Sequence, residues 1–133
     1  MIMKKRIPNF NDFTFETYSF KDVCRVESQG PVSPSCDIIF NSTDDDTFEL
    51  IDISLKDIVT AKGLTLSFYK KRNLDEDVAI VERIIKAYQN HEKIPPIIID
   101  TDNTIMDGYH RYVAAKEHFG RNGKIKAFKK NKI

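Results

Sequence analysis

Two prolines followed by three isoleucines, in Ile94-Pro95-Pro96-Ile97-Ile98-Ile99-Asp100, constrain this chain more than any other stretch. Proline lacks the N–H that would continue a helix and pushes the residue before it toward extended backbone, so the chain must enter Ile97 extended. The unbroken β-branched run that follows reads as a buried strand. Thr101-Asp102-Asn103 is turn chemistry, and Thr104-Ile105-Met106 reads as the returning strand of a tight hairpin.

Before the prolines, apolar residues at Leu74, Val78, Val81, Ile85 and Tyr88 step by 4, 3, 4 and 3, which predicts a helix from Leu74 to Asn90. Ile80, Ile84 and Ala87 widen its buried stripe. Asn73 stands three residues before Glu76 as an N-cap, and Asp75, Glu76 and Asp77 complement the positive helix start. That acidic run is therefore read as capping and not as catalytic.

After the hairpin, Asp107-Gly108-Tyr109-His110-Arg111 leads into a second helix with Tyr112, Val113, Ala114, Ala115 and Phe119 near its apolar face and Gly120 as its stop. Strand, glycine turn and helix start together form the geometry that cradles a phosphate, because free N–H groups and the positive dipole end point into the turn. Gly108 lets backbone approach an anion, Arg111 can grip phosphate oxygens in a bidentate contact, and His110 can donate a hydrogen bond or move a proton. Asp107 can hold a divalent ion or accept a hydroxyl proton. The same string also has a plain structural reading, with Asp107 as N-cap, Gly108 as turn and Arg111 solvated.

The first half is less patterned. Phe13, Phe15, Tyr18 and Phe20 form period-2 pairs and read as one or two half-buried strands, Gly30 to Ser35 as a loop, Cys36 to Phe40 as a short strand, and Asn41 to Asp46 as a solvated acidic hairpin loop. Phe48 to Ile53 reads as a strand running into a helical turn from Leu55 to Thr60, capped by Ser54 with Asp57 three residues on. Leu64 to Arg72 is expected to be a loop, either facing a ligand or an ordinary surface connection.

At 133 residues, with 41% hydrophobic and 31% charged residues, the chain has room for one globular domain and not for separate substrate and cofactor lobes. The net charge of +1 favours neither nucleic acid nor an acidic partner, but the charges are segregated. Asp37 to Asp57 holds seven acids and one Lys, whereas Arg121 to Lys132 holds six basic residues and no acid. The basic run reads as a solvated tail or as a place for an anionic ligand, and the alternation of Lys124 and Lys126 with Ile125 and Ala127 as an edge strand guarded by charge. No stretch approaches the roughly 18 apolar residues of a spanning helix, and the Met1 to Arg6 start lacks a signal-peptide core, so a cytoplasmic chain without membrane contact is expected. Cys24 and Cys36 have the spacing of neither a CxxC pair nor a zinc site and read as two reduced thiols.

Together, Ile94 to Asp100, the turn, and Ile105-Met106-Asp107-Gly108-Tyr109-His110-Arg111-Tyr112-Val113-Ala114-Ala115 resemble the ParB/sulfiredoxin superfamily, in particular stand-alone ParB-like "nuclease" domains. The resemblance covers about residues 48 to 128. It implies an α+β fold of that type, a small mixed sheet with flanking helices, over residues 48–133; residues 1–47 carry no such resemblance and, from their period-2 pattern, are expected as a strand-rich extension packed on it. It also implies a nucleotide (ATP, ADP or CTP, with Mg²⁺) as ligand. Gly108, Tyr109, His110 and Arg111 are then the binding residues, Asp107 and His110 the catalytic ones, and Asp107 the metal ligand. Tyr109 stands where sulfiredoxins place their catalytic cysteine, which argues against sulfinic-acid reduction. Only thirteen residues follow Gly120, so partitioning by this chain alone is not expected. The serine kinases of this fold add a Glu from an earlier loop, and Asp57 to Lys71 contains none. The expected function is an ATPase or phosphotransferase. The alternatives are a DNA-associated nuclease using Lys124, Lys126, Lys129, Lys130 and Lys132, or a non-catalytic module whose first 47 residues meet a partner. Homodimerisation stays open.

Overall fold

Residues 17–19, 23, 46–60 and 63–132 are described by a computed structural model. They form β1 (Thr17–Ser19), β2 (Thr47–Ser54), a 3-10 turn (Leu55–Asp57), α1 (Leu66–Lys71), α2 (Asp75–Gln89), β3 (Ile97–Ile99), β4 (Ile105–Asp107), α3 (Tyr109–Phe119) and β5 (Lys124–Lys130). The readings at Phe13, Phe15, Phe20, Cys24, Gly30 to Ser35, Cys36 to Phe40 and Asn41 to Asp45 lie outside the described residues.

The five strands make one mixed sheet in the order β1-β2-β5-β3-β4, antiparallel except for the parallel β3–β5 pair. This is the α+β architecture with a mixed sheet that the sequence led us to expect. Both faces of the sheet are covered. Ile53, Ile97, Ile99 and Ile125 pack under the helices against Val81, Ile84, Val113 and Ala114. Phe48, Leu50, Ile98 and Phe128 form a second cluster with Tyr18 and Val23. Alternate residues of β3 thus enter different clusters, which is why all three isoleucines are apolar.

The hairpin between β3 and β4 is set by hydrogen bonds from Asn103 N–H to Asp100 O (3.0 Å) and from Asp100 N–H to Thr104 O (2.8 Å). Asn103 takes a positive φ of 70°, the left-handed residue of a three-residue hairpin loop.

Three expectations are corrected. Residues 64–72 are not a loop: Thr65 Oγ1 accepts from Phe68 N–H at 3.1 Å and starts α1. Asn73 is not the N-cap of α2. It sits at φ 56° just past α1, with Asn73 N–H donating to Lys70 O and Leu74 N–H to Tyr69 O, the pair of bonds that closes a helix C-terminus on a left-handed residue. The helical turn predicted to run to Thr60 stops at Asp57, without a cap bond from Ser54, and Val59 then bridges Thr104 as an extended residue. The cap on α1 is directly testable: Thr65→Ala should lower the unfolding free energy by about 1 kcal/mol in urea melts, whereas no change would show that α1 does not depend on it.

The charged runs are corrected as well. β5 is a central strand between β2 and β3, neither an edge nor a tail. The acid-rich β2 is the antiparallel neighbour of this base-rich strand: Lys126 pairs with Asp52 at 2.5 Å and Lys130 with Asp46 at 3.6 Å. Asp46, expected in a solvated turn, is 6% exposed.

Candidate functional site

β4 delivers the chain to Gly108, whose φ of 103° turns it into α3. Two constraints require glycine here. The left-handed backbone is costly for any side chain, and a Cβ at this position would lie 2.7 Å from Ile97 Cγ2. On the side where a Cβ would stand, the close approach that Gly108 permits is to β3. No side chain caps α3, and its first turn carries no acid, so its positive end is uncompensated from within the helix.

Arg111, expected to reach out to a phosphate, points inward and is 3% exposed. Nη1 donates to Pro95 O (3.2 Å) and Pro96 O (3.0 Å), and Nη2 donates to Asp107 Oδ2 (3.0 Å). The buried Pro95-Pro96 segment needs donors for its carbonyls, and the guanidinium fork supplies them while taking Asp107 as counter-ion. Its charge also reaches Tyr88, opposing burial, which pushes that hydroxyl up to about 12. Asp107, expected as metal ligand and base, has one carboxylate oxygen committed to this internal bond and a side chain only 13% exposed.

His110 and Tyr109 lie on the accessible side. His110 Nε2 is 2.7 Å from Asp77 Oδ1, with both side chains about a third exposed. The Tyr69 ring of α1 lies 5.9 Å from the imidazole. Burial first, then the Asp77 carboxylate and Tyr109, push the Tyr69 hydroxyl above the ordinary tyrosine value. Tyr109 is 43% exposed and its hydroxyl donates to Ile105 O at 3.1 Å. The structure thus divides the Asp107–Arg111 string: Asp107, Gly108 and Arg111 build the turn, whereas Tyr109 and His110 face outward beside Asp77 and Tyr69.

Asp77 and Tyr69 are the members that sequence reading did not place. Asp77 belongs to the run read as capping, and Tyr69 to the segment expected as a loop that either faces a ligand or is a surface connection. No local signal separates Asp77 from Asp75 and Glu76, since its partner is 33 residues away.

A carboxylate can only accept, so Asp77 selects the tautomer with the hydrogen on Nε2, in which a neutral His110 carries its lone pair on Nδ1. An oriented imidazole beside an uncapped helix start can hydrogen-bond an anionic oxygen or accept a proton. Among the described residues, no group of three or more His, Cys, Asp or Glu side chains is placed to hold a metal ion. No helix among them is long and apolar enough to cross a membrane.

No protein-family model matches the sequence, and no curated protein matches it. Among solved structures, the chain is similar to one described as a Pnob8-like ParB-N domain, with 17% identity and a TM-score of 0.47. The likeness covers 68% of this chain, which spans about a third (33%) of that one.

Proposed function

We propose that the N-terminal end of α3 binds the phosphates of a nucleotide, with His110, oriented by Asp77, as the side chain that meets them. The observation that carries this reading is the His110–Asp77 contact of 2.7 Å beside a helix start with no capping side chain and no first-turn acid. The backbone N–H groups and dipole of the first turn attract negative charge. Asp77 holds the imidazole in one tautomer and orientation, as a carboxylate does for a general base. The exposed Tyr109 ring offers a face beside the same turn.

In this reading Arg111 and Asp107 act indirectly, by holding the turn. Mg²⁺ would arrive with the phosphates and keep several of its waters, so this reading does not require Asp107 to hold it. In a phosphotransfer reaction His110 Nδ1 would take the proton of the attacking hydroxyl as its oxygen bonds to the terminal phosphorus, the nucleoside diphosphate leaving with the electrons of the broken P–O bond. The DNA-associated alternative is weakened at Lys126 and Lys130, whose charges meet Asp52 and Asp46.

Calorimetric titration of the full chain with ATP, ADP, CTP and GTP, each with and without Mg²⁺, should find one or more binders. His110→Ala should weaken the best of them about tenfold, the loss of one charge-assisted hydrogen bond. Product analysis then separates turnover from binding. Binding of none of the four, or undiminished binding by His110→Ala, overturns the reading.

A further inference from the structure

On the other flank of α3, a cleft of about 360 Å³ is lined by Leu55, Lys56, Ile58, Tyr112, Lys116 and Arg121. Three of the six are cations and none is an acid. The other three form an apolar floor that is buried in the core. In a chain with a net charge of +1, such local segregation needs a reason.

Backbone hydrogen bonds tie the segments that line the cleft to one another. Leu55 N–H donates to Gly123 O at 2.9 Å, tying the 3-10 turn that carries Lys56 to the loop that carries Arg121. Gly120 N–H donates to Lys116 O, and Gly123 N–H to Gly120 O, closing that loop onto the end of α3. Gly123 is packed so closely that a Cβ would lie 2.4 Å from Phe119 Cβ, which seats the loop directly against the end of the helix. The Lys116 ammonium lies 5.4 Å from the centre of the Tyr112 ring. A preformed concave site with an apolar floor and a few convergent charges is what a small ligand requires, and this volume lies at the small end of that range.

We propose that this cleft binds a small amphipathic anion. Its apolar body rests on Leu55, Ile58 and Tyr112, and its carboxylate, phosphate or sulfonate head meets Lys56, Lys116 and Arg121. The site shares no lining residue with the His110 flank and does not depend on the nucleotide reading.

The probe is 8-anilinonaphthalene-1-sulfonate, titrated by fluorescence into the full chain at low ionic strength. One saturable class of site is expected. The double variant Lys56→Gln/Arg121→Gln changes only exposed side chains and should weaken the dye about tenfold, roughly the loss of two partly screened charge contacts. The uncharged analogue N-phenyl-1-naphthylamine should bind wild type at least about tenfold more weakly, for want of the same contacts. His110→Ala should leave the dye affinity unchanged. Equal affinity in the double variant, equal binding of the neutral dye, a shared loss in His110→Ala, or no saturable binding would each overturn the proposal.

Discussion

Arg111→Ala is expected to lower the unfolding free energy by about 3–5 kcal/mol, the usual cost of removing one partner from a buried ion pair. The guanidinium is buried and donates to the carbonyls of Pro95 and Pro96 and to Asp107. Its removal strands a nearly buried carboxylate and two carbonyls, whose loss of partners costs more than the bonds themselves contribute. Arg111→Lys should recover only part of this, because an ammonium cannot reproduce the planar fork that serves Pro95, Pro96 and Asp107 at once. Urea unfolding of wild type, both single variants, Asp107→Ala and Arg111→Ala/Asp107→Ala checks this. The double variant should be less destabilised than the sum of the two single ones, since each strands the other's partner. Wild-type stability in Arg111→Ala, with nucleotide binding alone lost, would instead place the guanidinium at the ligand.

How far the sequence discloses this molecule depends on the range of the interaction in question. Ile97 to Ile99, the helix from Asp75, the Asn103 turn and the Gly108 entry into α3 are all specified by neighbours within a turn or two, and all were legible. What was misread involves distant partners. Arg111 finds its acceptors 15 and 16 residues upstream, and His110 finds Asp77 33 residues upstream. The alternating lysines of β5 suit an edge strand as well as a central one, and only the pairing with β2 decides between them. Asn73 is a short polar residue that serves a helix start or a left-handed helix end equally well. Reading it as a start erased the six-residue α1 before it, which has too few turns to announce itself by periodicity. The candidate site inherits these errors. Its backbone, the glycine turn and helix start, was visible, but the side chains facing outward were not distinguishable from those facing in.

Gly108→Ala is the second large effect, and it separates two costs that usually come together. The backbone at φ 103° disfavours any Cβ by about 1–2 kcal/mol. The added methyl would also stand 2.7 Å from Ile97 Cγ2, 2.9 Å from Cβ and 3.2 Å from Cα, and Ile97 is itself locked in the core. Overpacking of that kind costs about 1–3 kcal/mol more. A total of about 2–5 kcal/mol is expected from denaturant melts, on summing the two. Gly63→Ala is the internal control, because Gly63 has a φ of 74° with nothing within 4 Å of its would-be Cβ, so it should show the backbone cost alone. If the two alanine variants prove equally destabilised, β3 and the start of α3 are not in the contact described. If Gly108→Ala is the worse by 1 kcal/mol or more, as overpacking requires, then the glycine positions α3 by admitting it against Ile97. The outward aim of Tyr109 and His110 then rests on a packing contact made on the opposite side of the turn.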